Sequence, residues 1–338
     1  MVRSPWLKDG DRERILESAR NEFTILRRLK YRHIVSVLEL YQYDNRLAII
    51  MEQIADSDLA EYLRNTDELS DDNDRKETQR SIMRAWPGCL IQALDYLHEM
   101  KIKHKDIKPA NILIMGGQVL LADFGISKDL IDQETTASIL GEIGTFLYCA
   151  PEALLYNQRC GRAMDVFSLG CVFLEISTVM VGYQDSLQQW ARHRESGGSR
   201  LYSKSSSQIL QWIAYLWALY TARYNRSLNY DSSLAKAIAP ADISFFMLEP
   251  NPETRITARE LLELTLNPNT NFYELIGKQG CRSCQIFHSA WKGNFPQYAT
   301  FKAEGEISCP DDPKAELQRA PPSWEEAKRR WLSSYKWW

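Results

Sequence analysis

The sequence predicts an α+β chain, mainly helical after residue 55, with a reduced N-terminal part of one helix and about two strands. Two observations carry this. Apolar residues recur at helical spacing from Met83 onward, at Trp86, Leu90, Ala93, Leu94 and Leu97, and again over 166–181, 209–220 and 258–266. Short β-branched and aliphatic runs occur in two places, Ile34–Leu40 with Leu47–Met51 and Ile112–Ile114 with Val119–Leu121, each pair split by turn residues. With 338 residues and 44% hydrophobic composition, the chain can bury a sizeable core in one or two domains. The expected division is 1–54, 55–275 and a tail, 276–338.

Taken in order, Ile15, Ala19, Phe23, Leu26 and Leu29 form the apolar stripe of a first helix, with Asp11 placed to cap it. Glu22 sits on the edge of that stripe, where an inward carboxylate wants a cation. The two strands that follow, joined across Asp44-Asn45-Arg46, read as an antiparallel pair that must lean on the rest of the chain, since an isolated hairpin is marginal. Leu59–Asn65 reads as a short helix, and the polar, aperiodic stretch 66–78 as a solvated loop. The apolar run Val166–Val181 contains Glu175 and follows Asp165, which suits a buried core helix better than a membrane span. The Gly/Ser/basic stretch 193–208 reads as a mobile loop.

Chemistry gathers between His104 and Gly125. Asp106, Lys108 and Asn111 precede the run Ile112-Leu113-Ile114. The turn Gly116-Gly117 and the run Val119-Leu120-Leu121 follow, and a second acid, Asp123, stands at the hairpin's exit. A base, a cation and two hard oxygen ligands at one edge of a hairpin suit phosphoryl transfer, which depends on positioning and charge stabilisation.

These residues give a resemblance. His104-Lys105-Asp106 with Asn111 resembles the catalytic loop of protein kinases, and Asp123-Phe124-Gly125 their metal-binding turn. Gly144-Thr145 to Ala150-Pro151-Glu152 resembles the end of a kinase activation segment. Asp165 to Gly170 resembles the start of the central helix, and Asn251-Pro252 with Arg255 a late element of the large lobe. The resemblance covers about residues 12–270 and implies a protein-kinase-like fold, a helical large lobe beside a reduced small lobe. It implies a serine/threonine kinase that uses ATP and Mg²⁺, with Asp106, Lys108 and Asn111 catalytic and Asn111 and Asp123 holding the metal. Met51, Glu52, Ile54, Asp58 and Leu113 would meet adenine and ribose, and Glu22 would pair with a strand lysine. It also implies a buried Glu152–Arg255 ion pair, an Asp165 that caps the central helix and holds the catalytic loop, and Thr145 at the substrate site. Lys105 stands where the family usually has arginine, which weakens the case for control by phosphorylation at Thr135, Thr136 or Ser138.

The departure from the family lies upstream. Before Gly88 the only glycine is Gly10, and before Glu22 the only lysine is Lys8, in a turn-like setting. The sequence is therefore expected to be incomplete at its start and to transfer phosphate slowly. The alternative is a pseudokinase acting as an interaction module. A small-molecule phosphotransferase is disfavoured by the Ala-Pro-Glu segment, which builds a protein-substrate platform.

A net charge of −3 gives no basic field for nucleic acid, and seven scattered cysteines fit a reducing compartment, so the cytoplasm is expected, with the nucleus compatible. A protein substrate or binding partner is expected, no transmembrane segment, and the oligomeric state stays open. The tail holds Cys281-x-x-Cys284, with His288 and Cys309 as candidate zinc partners beside the simpler reading of reduced thiols. It ends in a basic, tryptophan-rich helix over 323–338 that could fold back on the large lobe, bind a partner or touch a membrane surface.

Overall fold

The structure, a computed structural model, describes residues 26–43, 46–71, 73–124, 146–154, 161–226 and 232–268, with scattered positions before and after them. Strands β1 (Val37–Tyr43) and β2 (Arg46–Met51) pair antiparallel, Val37 opposite Met51 and Gln42 opposite Leu47. This pair does lean on the larger body. Val35 N–H donates to Leu121 O at 3.0 Å, Leu121 N–H donates to His33 O at 2.8 Å, and Ile34 bridges Leu121 in parallel. Of the helix expected before them, Phe23, Thr24 and 26–28 are helical, and Leu26 and Leu29 are buried.

A second sheet, in order β3-β4-β5, is built from β3 (Ser57–Asp58), β4 (Ile112–Met115) and β5 (Gln118–Leu121). The β4–β5 hairpin turns on Gly116 and Gly117, with φ of 55° and 76°. A two-residue turn with both φ positive matches the twist of antiparallel strands and is adopted without strain by glycine.

The helical body comprises α1 (Leu59–Asp67), α2 (Asp74–Met83), α3 (Trp86–Glu99), α4 (Arg162–Val181), α5 (Ser186–Ser196), α6 (Ser206–Arg226), α7 (Ser232–Met247) and α8 (Ala258–Leu266). Helix α4 is the axis of the core. Its longest apolar window is 89% buried, as a core helix requires. Gly170 lets it approach α7, since a Cβ there would lie 2.8 Å from the Met247 Cβ.

Three expectations change. The polar stretch 66–78 is not a loop throughout: α1 runs to Asp67 and α2 begins at Asp74, capped by the Asn73 side chain. Its inward face is cationic, so apolar periodicity could not reveal it. Arg80 donates to the carbonyls of Val179 and Gly182 at 3.2 and 2.7 Å, closing the end of α4, and buried Lys76 donates to Leu69 O and Asp71. Nor is 193–208 a mobile loop. It is the end of α5, a 3-10 turn at Tyr202–Lys204 and the start of α6, pinned by the fully buried Tyr202. Within the expected helix 323–338 the described helical positions are 324–327 and 329, while Lys336–Trp337 form a strand (β7) against Phe301–Lys302 (β6). Of the three roles left open for that tail, folding back is the one observed: Trp324 stacks on Phe245 of α7 at 5.1 Å and donates to Glu249 at 3.1 Å.

One buried acid gives a pH prediction. Asp242, in α7, accepts from Trp217 Nε1 of α6 at 2.6 Å, and burial holds its carboxyl well above the ordinary range. A raised folded-state value means the bound proton stabilises the fold fully below the unfolded-state value, and this is lost as pH rises through the folded one. Asp242→Asn keeps an acceptor and carries no charge. Its Tm is therefore expected to gain on that of the native chain as pH rises through this window. Parallel Tm-versus-pH curves for the two chains would contradict the assignment.

Candidate active site

The loop between α3 and β4 is held from below. Asp165, in the first turn of α4, accepts from the backbone N–H of His104 at 2.9 Å and of Lys105 at 2.8 Å, and meets His98 Nε2 at 3.0 Å. Lys105 takes a left-handed φ of 68°, a conformation that side-chain-bearing residues adopt at a cost. Asp165 thus holds the loop as expected, but it does not cap the helix: the N-cap is Gly161, and Asp165 has turned toward the loop.

On this support the polar residues converge. Asp106, 6% exposed, receives Lys108 Nζ at 2.8 Å and Asn111 Nδ2 at 2.9 Å on the same oxygen, Oδ2. Asn111 Nδ2 also donates to the Asp106 carbonyl at 2.8 Å. Both contacts use the amide nitrogen, so the amide oxygen is what Asn111 offers a cation. Ala122 N–H donates to Asn111 O at 2.9 Å, which sets Asp123, one residue on, beside the loop. Asp123 is exposed and has φ of 55°, while the next residue, Phe124, is buried and stacks on His104 at 4.5 Å. The left-handed turn thus sends the acid out to solvent while the ring anchors in the core. Burial also lowers the pKa of His104, so it sits there as a neutral ring.

A second part of the site lies along β3 and β4. Asp58 and Leu113 are register partners, and Leu113 is two residues from Asn111. Asp58 Oδ1 accepts from Glu61 N–H at 2.8 Å and so caps α1. Met51 ends β2 at 45% exposure, Glu52 is exposed, its N–H donating to Ser36 O at 2.9 Å, and Ile54 is 89% exposed. A concavity of about 420 Å³ lies beside Glu52 and Gln53, bounded by Leu26, Tyr31, Ile34 and Val37. Its lining includes Glu52 but none of Asp106, Asn111, Leu113 or Asp123.

The family model of the protein kinase domain matches residues 6–266. The chain belongs to the protein kinase domain family. It is 36% identical over 172 residues to serine/threonine-protein kinase TIO of Arabidopsis thaliana, covering 50% of this chain and 12% of that protein. It is 31% identical over 175 residues to probable serine/threonine-protein kinase mps1 of Dictyostelium discoideum, covering 48% of this chain and 17% of the relative. With cyclin-dependent kinase-like 4 of Mus musculus it shares 28% identity over 264 residues, 76% of this chain and 72% of the other. The chain thus spans between about an eighth and three quarters of these relatives' lengths.

As a kinase domain, the chain has the expected lobes, and the segment leading into β1 shares hydrogen bonds with β5. Glu22, Lys8, Gly125, Thr135, Thr136, Ser138 and Thr145 lie outside the described residues. The expected buried pair is present: Arg255 meets both oxygens of Glu152, at 2.6 and 3.0 Å. Sequence reasoning missed what lies behind the activation segment. Glu175 of α4 accepts from Tyr148 at 3.0 Å and from Tyr202 at 2.7 Å, and Arg194 stacks over Tyr202 at 4.1 Å. Burial raises the pKa of Glu175 against the pull of Arg194. A lone glutamate in an otherwise apolar helix was the available signal.

Proposed function

We propose that this chain is a serine/threonine protein kinase domain, transferring the γ-phosphate of ATP to Ser or Thr hydroxyls of a protein substrate. The observation that carries the reading is the convergence of Lys108 and Asn111 on one oxygen of Asp106. A substrate hydroxyl arriving there meets a carboxylate held in a fixed orientation, positioned to take its proton as the bond to phosphorus forms. Lys108 is a compact cation, suited to balance charge on the phosphate being transferred. The donor chemistry fits the cofactors of the family: the Asn111 amide oxygen and the exposed Asp123 carboxylate are hard ligands of the kind Mg²⁺ takes. Bound with ATP, the cation would neutralise charge on the phosphates. In this reading Leu113 and Asp58, with Met51, Glu52 and Ile54, contact adenine and ribose. The reading goes with a cytoplasmic location.

A second reading is a pseudokinase that binds partners without chemistry. Labelled phosphate from Mg·ATP, offered with paired Ser/Thr and Tyr peptide libraries, separates the two. Incorporation into Ser/Thr peptides alone is expected. Incorporation confined to tyrosine would overturn the substrate class, and none at all with intact ATP binding would favour the second reading.

A further inference from the structure

The Cys281-x-x-Cys284 pair does not stand alone. Among the described residues one group of metal-ligating side chains closes on a point: His33, from the loop before β1, Cys89 of α3, Cys281 and Cys284, their ligand atoms all within 4.8 Å of one another. His33 Nε2 lies 3.4 Å from Cys281 Sγ and 3.3 Å from Cys284 Sγ, and Cys281 N–H points at Cys89 Sγ from 3.4 Å. All but Cys281 are buried, and Cys281 is half-buried. We propose that these four residues form a structural zinc site of the Cys₃His type, which clasps the tail onto the kinase domain.

The His33 separations come close to those of a tetrahedral site. With Zn–S near 2.3 Å and Zn–N near 2.0–2.1 Å, neighbouring ligand atoms stand about 3.5–3.8 Å apart. The His33 separations of 3.3 and 3.4 Å need only a small expansion to admit an ion. The imidazole is already oriented for it: His33 Nδ1–H donates to Val119 O at 2.7 Å, which leaves the Nε2 lone pair facing the three sulfurs. Such an outer hydrogen bond is how ligating histidines are fixed in one tautomer. Three thiolates around Zn²⁺ leave a net charge of −1, and the Arg32 guanidinium lies 3.9 Å from Cys281 Sγ to balance it. The described cysteines are free thiols, and a disulfide within this group would remove two of four ligands. Every ligand place is filled by protein, so the ion would be structural rather than catalytic.

The tail is also built to come this close. Gly88 precedes Cys89, and a Cβ on it would lie 3.0 Å from the Ile276 carbonyl oxygen. Ile276, five residues before Cys281, therefore lies directly on α3. Through His33, whose carbonyl accepts from Leu121 N–H, the ion would tie together the tail, α3 and the strand that leads to Asp123. The candidate partners His288 and Cys309 lie outside the described residues, and the two positions that close the cluster, His33 and Cys89, stand 248 and 192 residues from Cys281.

The test uses the full chain, purified without chelator from zinc-supplemented cells. Elemental analysis is expected to find about one zinc per chain, released in proportion as a mercurial titrates the thiols. Cys284→Ser and Cys89→Ser should each lower zinc content at least about tenfold, in line with loss of one of four ligands, while Cys149→Ser keeps it. Should a ligand variant fail to fold, Co²⁺ exchange into the native chain decides, through the absorption of tetrahedral thiolate-bound cobalt. A native chain free of zinc whose thiols react equally fast with and without added Zn²⁺ would overturn the proposal, as would zinc content that survives both ligand variants. None of these readouts depends on phosphotransfer.

Discussion

Asp106→Asn is expected to lower phosphotransfer turnover by about 10²–10⁴-fold, the usual contribution of a positioned general base, with ATP affinity almost unchanged. The substitution is nearly isosteric. The amide oxygen can still accept from Asn111 Nδ2, now at 2.9 Å, so the loop on which both residues sit keeps its shape. What is lost is a site for the hydroxyl's proton and the anionic partner of Lys108 Nζ, 2.8 Å away. In the proposed reading adenine and ribose meet Met51, Glu52, Ile54, Asp58 and Leu113 rather than Asp106, so nucleotide binding should not follow catalysis down. Steady-state turnover, ATP affinity by calorimetry and Tm, measured together, check this. Turnover within about threefold of the native chain, too little for loss of a general base, would remove Asp106 from that role. A parallel fall in ATP affinity or Tm would mean that the residue is structural.

How much of this could be read from residues alone follows the range of the interactions. The catalytic loop and hairpin, His104 to Asp123, were legible because their contacts are local: Asp106 to Lys108, Asp106 to Asn111, and a two-glycine turn between apolar runs. Helix α4 was legible because a helix buried on all sides is apolar on all sides. Helix α2 was not, because Lys76 faces inward to the Leu69 carbonyl and Arg80 to carbonyls about a hundred residues away, and their polarity reads as solvent exposure. The stretch 193–208 reads as a mobile loop by composition, yet one tyrosine, Tyr202, reaching Glu175 from 27 positions away, orders it. The same applies to the cysteines: the 281–284 pair is visible, while His33 and Cys89 come to it only through the packing of the tail on α3.

Arg255→Met is expected to destabilise the fold by about 3–5 kcal/mol, the usual cost of leaving one member of a buried ion pair alone. The pair's partners are 103 residues apart in sequence, and the Arg255 side chain has no solvent exposure. Its N–H groups are all directed at acceptors: Nε at Glu249 O (2.8 Å), Nη1 at Glu152 Oε1 and Ala163 O (2.6 and 2.9 Å), Nη2 at Glu152 Oε2 and Pro250 O (3.0 and 3.2 Å). The guanidinium also lies over the Phe167 ring at 5.0 Å. One side chain therefore joins the end of the activation segment, the start of α4 and the loop before α8. Methionine fills much of the volume but leaves the Glu152 carboxylate buried without this cation and takes one donor from each of three carbonyls, so desolvation and not lost packing dominates the cost. For a domain of this size the change corresponds to a fall in Tm on the order of 10 °C. Glu152→Leu added to Arg255→Met removes the stranded charge and should restore part of that loss, which a double-mutant cycle in urea measures. Were the double variant less stable than the single by the full cost of Glu152→Leu alone, the two side chains would be acting independently, and the buried pair would not be what joins these three segments.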